Sequence, residues 1–316
     1  MKIIGTGSAL PKKVVTNDML TGFFDTSDEW IRTRTGIETR RIMTDESLLD
    51  LATTACQRAL DAAGLKAEEL DYIVCSNVSN NYVYPTLSSM VQGAIGATCP
   101  CIDIRNACAG YVYALDAADM YLQTGRADKV LVLAAEEPTR FCHWEQRETS
   151  VLFGDGAGAA VVEKGDGFLG SETTTISNTE VLYQRKRLEP TPFEVEGTYI
   201  DHTMVMQGKE VFRMAVTGCS HEISHLLQEH HLKTSDIKYF LLHQANLRII
   251  SGIQQCLEAT PEQCPTTVQK YGNTSSASMA ILFDELVKAN KIQRGDLLVF
   301  SGFGAGFTTG SCIVRY

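Results

Sequence analysis

Apolar positions recur along the chain with the 3.6-residue period of a helix in some stretches and as short unbroken runs in others. From Ser47 to Ala63, Leu48, Leu49, Leu51, Ala52, Ala55, Ala59 and Leu60 fall on one helical stripe, and Gly64 is a natural C-terminal stop. Leu70 to Cys75 follows as a buried strand. Val130 to Ala135 is a second, after a helix from about Ala109 to Leu122. Strands that read as continuous apolar runs belong in sheets covered on both faces, so the pattern predicts an α/β protein.

The pattern then repeats. Gly64 to Cys75 aligns without gaps with His231 to Leu242 in its order of polar and apolar positions, although only Leu, Lys and Tyr are identical. Asp128 to Leu133 matches Asp296 to Ser301 at nearly the same offset, and Leu115-Asp116 matches Phe283-Asp284. Phe153-Gly154-Asp155-Gly156 and Phe303-Gly304-Ala305-Gly306 are Gly-rich turns later in each half. Matches in consistent order predict a duplicated α/β unit, residues 1–170 and 171–316, with the halves meeting near 163–175. Residues 176–205 break the pattern and read as an insertion.

At 316 residues the chain can bury about three quarters of its unfolded surface, so it needs neither disulfides nor metals to fold. No apolar run approaches the ~18 residues that span a bilayer. Met1 to Ile4, ahead of Gly5, is too short for the apolar core of a signal peptide, which predicts a cytoplasmic protein. In that compartment its ten cysteines are reduced, and either buried or catalytic. The net charge of −10 argues against nucleic acid and against adsorption to anionic membrane. An acidic partner could dock only through a local basic patch.

The most specific metal-like string is His221-Glu222-Ile223-Ser224-His225, with His231 at the place of a third ligand, which is the spelling of a zinc peptidase. Gln228 stands where the three-ligand version needs Gly. On a helical wheel Ile223, Leu226 and Leu227 form the buried face and put His221 and His225 on the other side. A surface helix with no metal is the better reading. Gly5-Thr6-Gly7 and Gly304-Ala305-Gly306-Phe307-Thr308-Thr309-Gly310 lack the spacing of phosphate loops and are assigned to tight turns between strands. Cys99-Pro100-Cys101 lacks the second half of a zinc knuckle and reads as buried strand cysteine.

Cys108 stands apart. It lies in Asn106-Ala107-Cys108-Ala109-Gly110, between the strand Cys101–Arg105 and the helix that follows. At a helix N-terminus, free N–H groups and the dipole favour a thiolate and are expected to lower its pKa. Alone, such a cysteine is more often core than catalyst. Two other strings change the balance. His243-Gln244-Ala245-Asn246 ends the second-half strand Lys238–Leu242, where α/β sheets place functional side chains. Asn273, in Tyr271-Gly272-Asn273-Thr274-Ser275-Ser276, falls on the loop equivalent to that of Cys108. A pseudo-twofold arrangement would gather all three in one cleft.

These strings resemble the thiolase-like condensing enzymes, and among them the β-ketoacyl-acyl-carrier-protein synthase III family. The likeness covers almost the whole chain: Ile4 to Pro11, Thr26 to Ile31, Arg34 to Ile37, Ala107 to Gly110, Phe153 to Gly158, Glu210 to Phe212, His243 to Arg248, Gly272 to Ser275 and Phe303 to Phe307. It implies a five-layered αβαβα fold, a homodimer, and a Cys108-His243-Asn273 set of the initiating class, with no metal or redox cofactor. Coenzyme A thioesters are then substrates: an acyl-CoA primer condenses with malonyl-acyl-carrier protein to start a fatty acid. The resemblance further implies an oxyanion hole from the backbone of Cys108 and Ala305. It implies adenine held between Trp30 and Arg147, with Thr26 and Arg34 nearby. Tyr84 would close the acyl pocket of a dimer mate, and Arg213 and Arg248 would receive the carrier. Gln255 and Cys256 stand where some relatives have a lysine pair, which leaves room for a CoA-linked malonyl donor. The alternatives are a related condensing enzyme or acyltransferase of specialised metabolism, a zinc peptidase on His221 and His225, and an inactive thiolase-like binding protein.

Overall fold

The structure, a computed structural model, describes residues 1–186, 193 and 202–316. Among the described residues, nine strands form the two main sheets: β1 Lys2–Ala9, β2 Tyr72–Ser76, β3 Cys101–Ile104, β4 Lys129–Glu136, β5 Gly156–Glu163, β6 Phe168–Asn178, β7 Tyr239–Leu242, β8 Leu297–Gly304 and β9 Gly306–Arg315. The helices that matter here are α1 Asp28–Thr35, α2 Leu48–Ala63, α3 Leu87–Ile95, α4 Gly110–Gln123, α5 Gly208–Glu229, α6 Leu247–Cys256 and α7 Ala277–Lys288.

The first sheet runs β1-β5-β4-β2-β3 and the second β6-β9-β8-β7. In each, the connections through helices give parallel pairs (β2 with β3 and β4; β7 with β8), and the remaining pairs, the β8–β9 hairpin among them, are antiparallel. The two orders superpose with β6 in the role of β1, β9 of β5, β8 of β4 and β7 of β2. The duplicated pattern is therefore a duplicated topology, although among the described residues no strand of the second sheet matches β3. The 170/171 boundary read from the sequence falls inside β6, and the chain crosses between sheets at 164–167.

Period-two side chains assign the layers. Ile73, Cys75, Leu131, Leu133 and Ala135 face an outer cluster with Ala52, Ala55 and Leu60 of α2 and Val91 of α3. Their neighbours Val74, Val130, Val132 and Ala134 face the middle, where α4 and α7 pack between the sheets against Leu241, Leu298 and Phe300. Phe240, Leu242, Val299 and Ile313 look outward onto α5 and α6. The order is helix, sheet, helices, sheet, helix.

Gly5 and Gly7 are not in turns, as the sequence reading had them. Both lie inside β1, where α2 presses on the strand: a Cβ on Gly5 would stand 2.3 Å from the Ala59 carbonyl oxygen. Helix α2 itself begins as expected, with Ser47 and Asp50 bonding each other's backbone N–H, and ends at left-handed Gly64. Of the expected insertion at 176–205, residues 187–192 and 194–201 lie outside the described residues. Its ends are joined by a short ribbon in which Leu182–Tyr183 pairs with Val205–Met206.

Candidate active site

The site forms where the N-terminus of α4 meets the ends of β4, β7 and β8. Cys108 sits in a single 3-10 turn, Ala107–Ala109, that runs into α4. Strand β8 passes directly behind it, and only glycine permits this. A Cβ on Gly304 would lie 2.8 Å from Cys108 N, and one on Gly302 would lie 3.3 Å from Cys108 O. The same strand holds the next residue of interest, because Ser301 O accepts the His243 N–H at the end of β7 (2.8 Å). Asn273 is fixed by backbone bonds to Leu152 and Gly154. Its Oδ1 accepts the Ser275 N–H (2.8 Å), and Ser275 Oγ lies 3.3 Å from Cys108 Sγ. Cys108 is thus linked through β8 to the strand end that carries His243, and through Ser275 to Asn273, although neither His243 nor Asn273 lines the cavity that opens onto Cys108. The remaining residues of the His243 string build scaffold. Gln244 holds the Thr267 and Val268 N–H groups, and Asn246 caps α6 while its amide donates to Arg34 O.

The electrostatics correct one expectation. Burial, with Glu136 behind it, pushes the Cys108 thiol up to about 12, although the Ser275 hydroxyl pulls the other way. The helix N-terminus does not win, because the sulfur loses more hydration than one short turn of N–H groups restores. Cys108 keeps partial exposure to the cavity. Burial also drives His243 down to about 3, so its imidazole is neutral. Ser278 Oγ accepts the Gln244 N–H (3.1 Å) and lies 2.7 Å from His243 Nδ1. Among the described residues the Ser278 hydroxyl has no other acceptor for its own proton, so it donates to Nδ1, which leaves the imidazole proton on Nε2. That Nε2 is buried and has no partner among the described residues.

Three polar residues of this site went unrecognised in the sequence: Glu136, Ser275 and Ser278. Glu136 ends β4 fully buried. Its Oε2 accepts from Ser79 Oγ (2.6 Å) and Val78 N (3.2 Å), and its Oε1 from Ser276 Oγ (2.9 Å) and Ser275 Oγ (3.5 Å). Burial raises it to about 7. Two acids closing an apolar strand, Glu136-Glu137, were the available signal.

A cavity of about 610 Å³ opens onto Cys108, Glu136, Ser275 and Ala305. Tyr82 and Val83 of the same chain line it. Tyr84 does not, and its side chain is 84% exposed. Trp30, in the first turn of α1, is stacked by two guanidiniums, Arg34 at 4.4 Å and Arg147 at 4.3 Å from the ring centroid. Arg147 is anchored by a bond to Asp25 O (2.8 Å), and the neighbouring Thr26 Oγ1 has no partner among the described residues. The expected sandwich residues are therefore together, with no purine-wide gap between them. Arg213 is exposed and paired with Glu210 (2.8 Å), while Arg248 is exposed and donates to Thr33 O (2.9 Å) beside α1. The peptidase-like histidines stay apart from all of this. His221 and His225 are exposed on α5, Glu222 is buried on the opposite side bonding Thr309 and Ser311, and His231 is a left-handed residue just past the helix end.

Models of 3-oxoacyl-[acyl-carrier-protein] synthase III match residues 102–177, and models of its C-terminal region match residues 227–316. The chain is 38% identical over 317 residues to the β-ketoacyl-[acyl-carrier-protein] synthase III of Vesicomyosocius okutanii, covering 100% of this chain and 98% of that one. It is 41% identical over 324 residues to the enzyme of the same name from Xanthomonas campestris, with the same coverage. The crystal structure of 3-oxoacyl-[acyl-carrier-protein] synthase III from Aquifex aeolicus superposes with a TM-score of 0.93 at 38% identity, over 100% of this chain and 99% of that one. The two-sheet frame thus recurs over the whole chain in proteins of one kind: the chain belongs to the β-ketoacyl-acyl-carrier-protein synthase III family of thiolase-like condensing enzymes and is an acyltransferase.

Proposed function

We propose that Cys108, His243 and Asn273 divide the family's reaction between them: condensation of an acyl-CoA primer with malonyl-acyl-carrier protein to give a 3-oxoacyl thioester that starts a fatty acid. The observation that carries this reading is His243, a neutral, buried imidazole whose Nε2 bears a proton and lacks a partner, in the same site as a cysteine at a helix start. Cys108 Sγ attacks the acyl thioester and holds the acyl group covalently. The backbone N–H groups of Cys108 and Ala305 receive the oxyanion. The malonyl thioester then loses carbon dioxide. His243 Nε2–H and the Asn273 amide, whose oxygen is engaged by Ser275 N–H and whose NH₂ is therefore left to donate, stabilise the enolate at the thioester oxygen. The enolate carbon attacks acyl-Cys108 and the sulfur departs.

The coenzyme adenine enters between Trp30 and Arg147, with Thr26 and Arg34 at its border. Arg213 and Arg248 give an otherwise acidic chain a local basic face for the acidic carrier. A homodimer is supported by two features: the exposed Tyr82, Val83 and Tyr84, and β3, an edge strand only half-exposed in the isolated chain. Tyr84 would then reach the partner's acyl pocket. Residues 1–170 and 171–316 are read as the two halves of the duplicated unit, and the cytoplasm as its compartment, where ten unpaired cysteines are stable. None of the helices among the described residues is long and apolar enough to cross a membrane. Intact-protein mass spectrometry after incubation with a panel of acyl-CoAs, followed by peptide mapping, tests the central step. An acyl adduct confined to Cys108 is expected. An adduct on Cys101 or Cys142 that survives Cys108→Ala overturns it.

A further inference from the structure

The nucleophile presents a chemical problem. Its thiol is held in the protonated form, yet acyl transfer requires the proton to leave as the sulfur attacks. His243 is not the acceptor. The Ser278 hydroxyl supplies a proton to Nδ1, Nε2 already carries one, and burial opposes a second. Among the described residues, Cys108 Sγ makes one side-chain hydrogen bond, to Ser275 Oγ at 3.3 Å. The Ser275 hydroxyl in turn lies 3.5 Å from Glu136 Oε1. Ser275 is held in this bridging place by Asn273 Oδ1 at a left-handed φ of 52°, a conformation that serine does not adopt freely.

We propose that Glu136, acting through the Ser275 hydroxyl, takes the Cys108 thiol proton as Sγ attacks the acyl thioester. The inference rests on the acyl-transfer reading of Cys108. The Cys108 S–H proton passes to Ser275 Oγ while the Ser275 O–H proton passes to Glu136 Oε1. The freed sulfur lone pair forms the new bond to the thioester carbon. When the tetrahedral intermediate collapses, the bond to the CoA sulfur breaks, and the carboxylic proton returns along the same path to that departing thiolate. Acyl-CoA and thiol become acyl-Cys108 and CoA, with every proton accounted for.

Glu136 suits this work. A carboxyl poised near 7 accepts a proton at neutral pH and gives it back. Its other bonds, from Ser79, Val78 and Ser276, hold it in place without supplying a positive charge that would quench its basicity. The ionisable groups that face it are Cys75 on β2, Cys108, and Glu137 next along the chain, whose own carboxylate is turned to Arg140 (3.6 Å). The Ser275 to Glu136 leg is the long one, and such legs tighten when substrate displaces water.

The experiment measures the pH dependence of Cys108 alkylation by iodoacetamide, read at the Cys108 peptide so that exposed Cys256 does not interfere. For the parent protein, log rate should climb about one unit per pH unit and then bend to a plateau near pH 7. Beyond that point Glu136 is ionised and takes the thiol proton as the sulfur attacks, so the base-assisted rate no longer rises with pH. Glu136→Gln removes the proton acceptor at nearly the same shape, and its profile should rise through pH 7 without a bend. Ser275→Ala keeps the carboxyl and breaks the bridge. It and Glu136→Gln should each slow acylation by acetyl-CoA at pH 7 on the order of a hundredfold. A merely structural Glu136 would lower melting temperature or overall rate but would not remove the bend. The proposal is overturned if the parent shows no bend, if Glu136→Gln keeps it, or if Ser275→Ala is acylated at the parent rate. Iodoacetamide needs no acyl-CoA, so this test is separate from the acyl-transfer reading, whose own failure would be a parent protein with no acyl adduct on Cys108.

Discussion

His243 and Asn273 are assigned the same task, yet the structure makes them unequal under mutation. His243→Ala removes one enolate donor. Its other ties are backbone bonds with Ser301 and Ala245, the Ser278 hydroxyl and an edge contact with the Phe303 ring, and none is a bond to Cys108. Losing one such donor costs about 2.7–4 kcal/mol, or roughly a hundred- to a thousandfold in the step it serves. Carbon dioxide release from the malonyl thioester should fall by that factor while acyl-Cys108 forms at the parent rate. Asn273→Ala removes a donor too, but it also frees the Ser275 N–H from Oδ1, and Ser275 is the residue that bonds Cys108 Sγ. One neutral hydrogen bond is worth about 0.5–1.5 kcal/mol, so acylation should slow by a further factor of about 2 to 12. Cys108→Gln completes the set: acyl transfer is lost, and decarboxylation remains measurable because both donors stay. The assay is carbon dioxide release beside acyl-enzyme formation by mass. If His243→Ala decarboxylates at the parent rate, the enolate role is wrong. If Asn273→Ala and His243→Ala acylate equally fast, Ser275 does not depend on Asn273 as argued.

Other expectations follow from the same geometry. Arg147 lies 4.3 Å from the Trp30 ring, and a purine needs a gap of about 7 Å, twice the contact distance, so CoA must part the two. Adding CoA should change Trp30 fluorescence, and Arg147→Ala should raise the KM for acetyl-CoA about three- to tenfold with kcat preserved, whereas an emission indifferent to CoA would count against this site. Burial raises the Glu222 carboxyl to about 7 despite hydroxyl bonds from Thr309 and Ser311. The folded state therefore favours its protonated form: this contribution to stability is complete below about pH 4.5 and is lost as pH rises towards 7. Melting temperature should fall between pH 5 and 7.5, and Glu222→Gln should flatten part of that slope; an unchanged slope refutes the assignment. Arg248→Glu should raise the KM for the malonyl carrier far more than that for acyl-CoA, with added salt mimicking it, and equal responses would place Arg248 in the general architecture of the site.

Local pattern carried a large part of this protein. The stripe from Leu48 to Leu60, the runs at Ile73–Cys75 and Val130–Ala135, and their echo after His231 needed no tertiary information, because burial on one or both faces writes its period directly into the chain. The loop positions of Cys108 and Asn273 and the strand-end position of His243 were legible from such elements, and the exposure of His221 and His225 followed from the helical wheel alone. What local pattern could not give is whatever depends on residues distant in sequence. Gly5 and Gly7 read as turns because nothing nearby announces that α2 presses on β1. The thiol of Cys108 read as acidified, since a helix N-terminus is a local feature; what raises it instead is burial, with β8 packed behind it, and the charge of Glu136, brought up from opposite halves. The tautomer of His243 is set by Ser278, 35 residues away, and the bridge from Cys108 to Ser275 spans 167. Hydrogen bonds and dehydration act over a few ångströms of space, and only the packing of the two sheets decides which residues share that space.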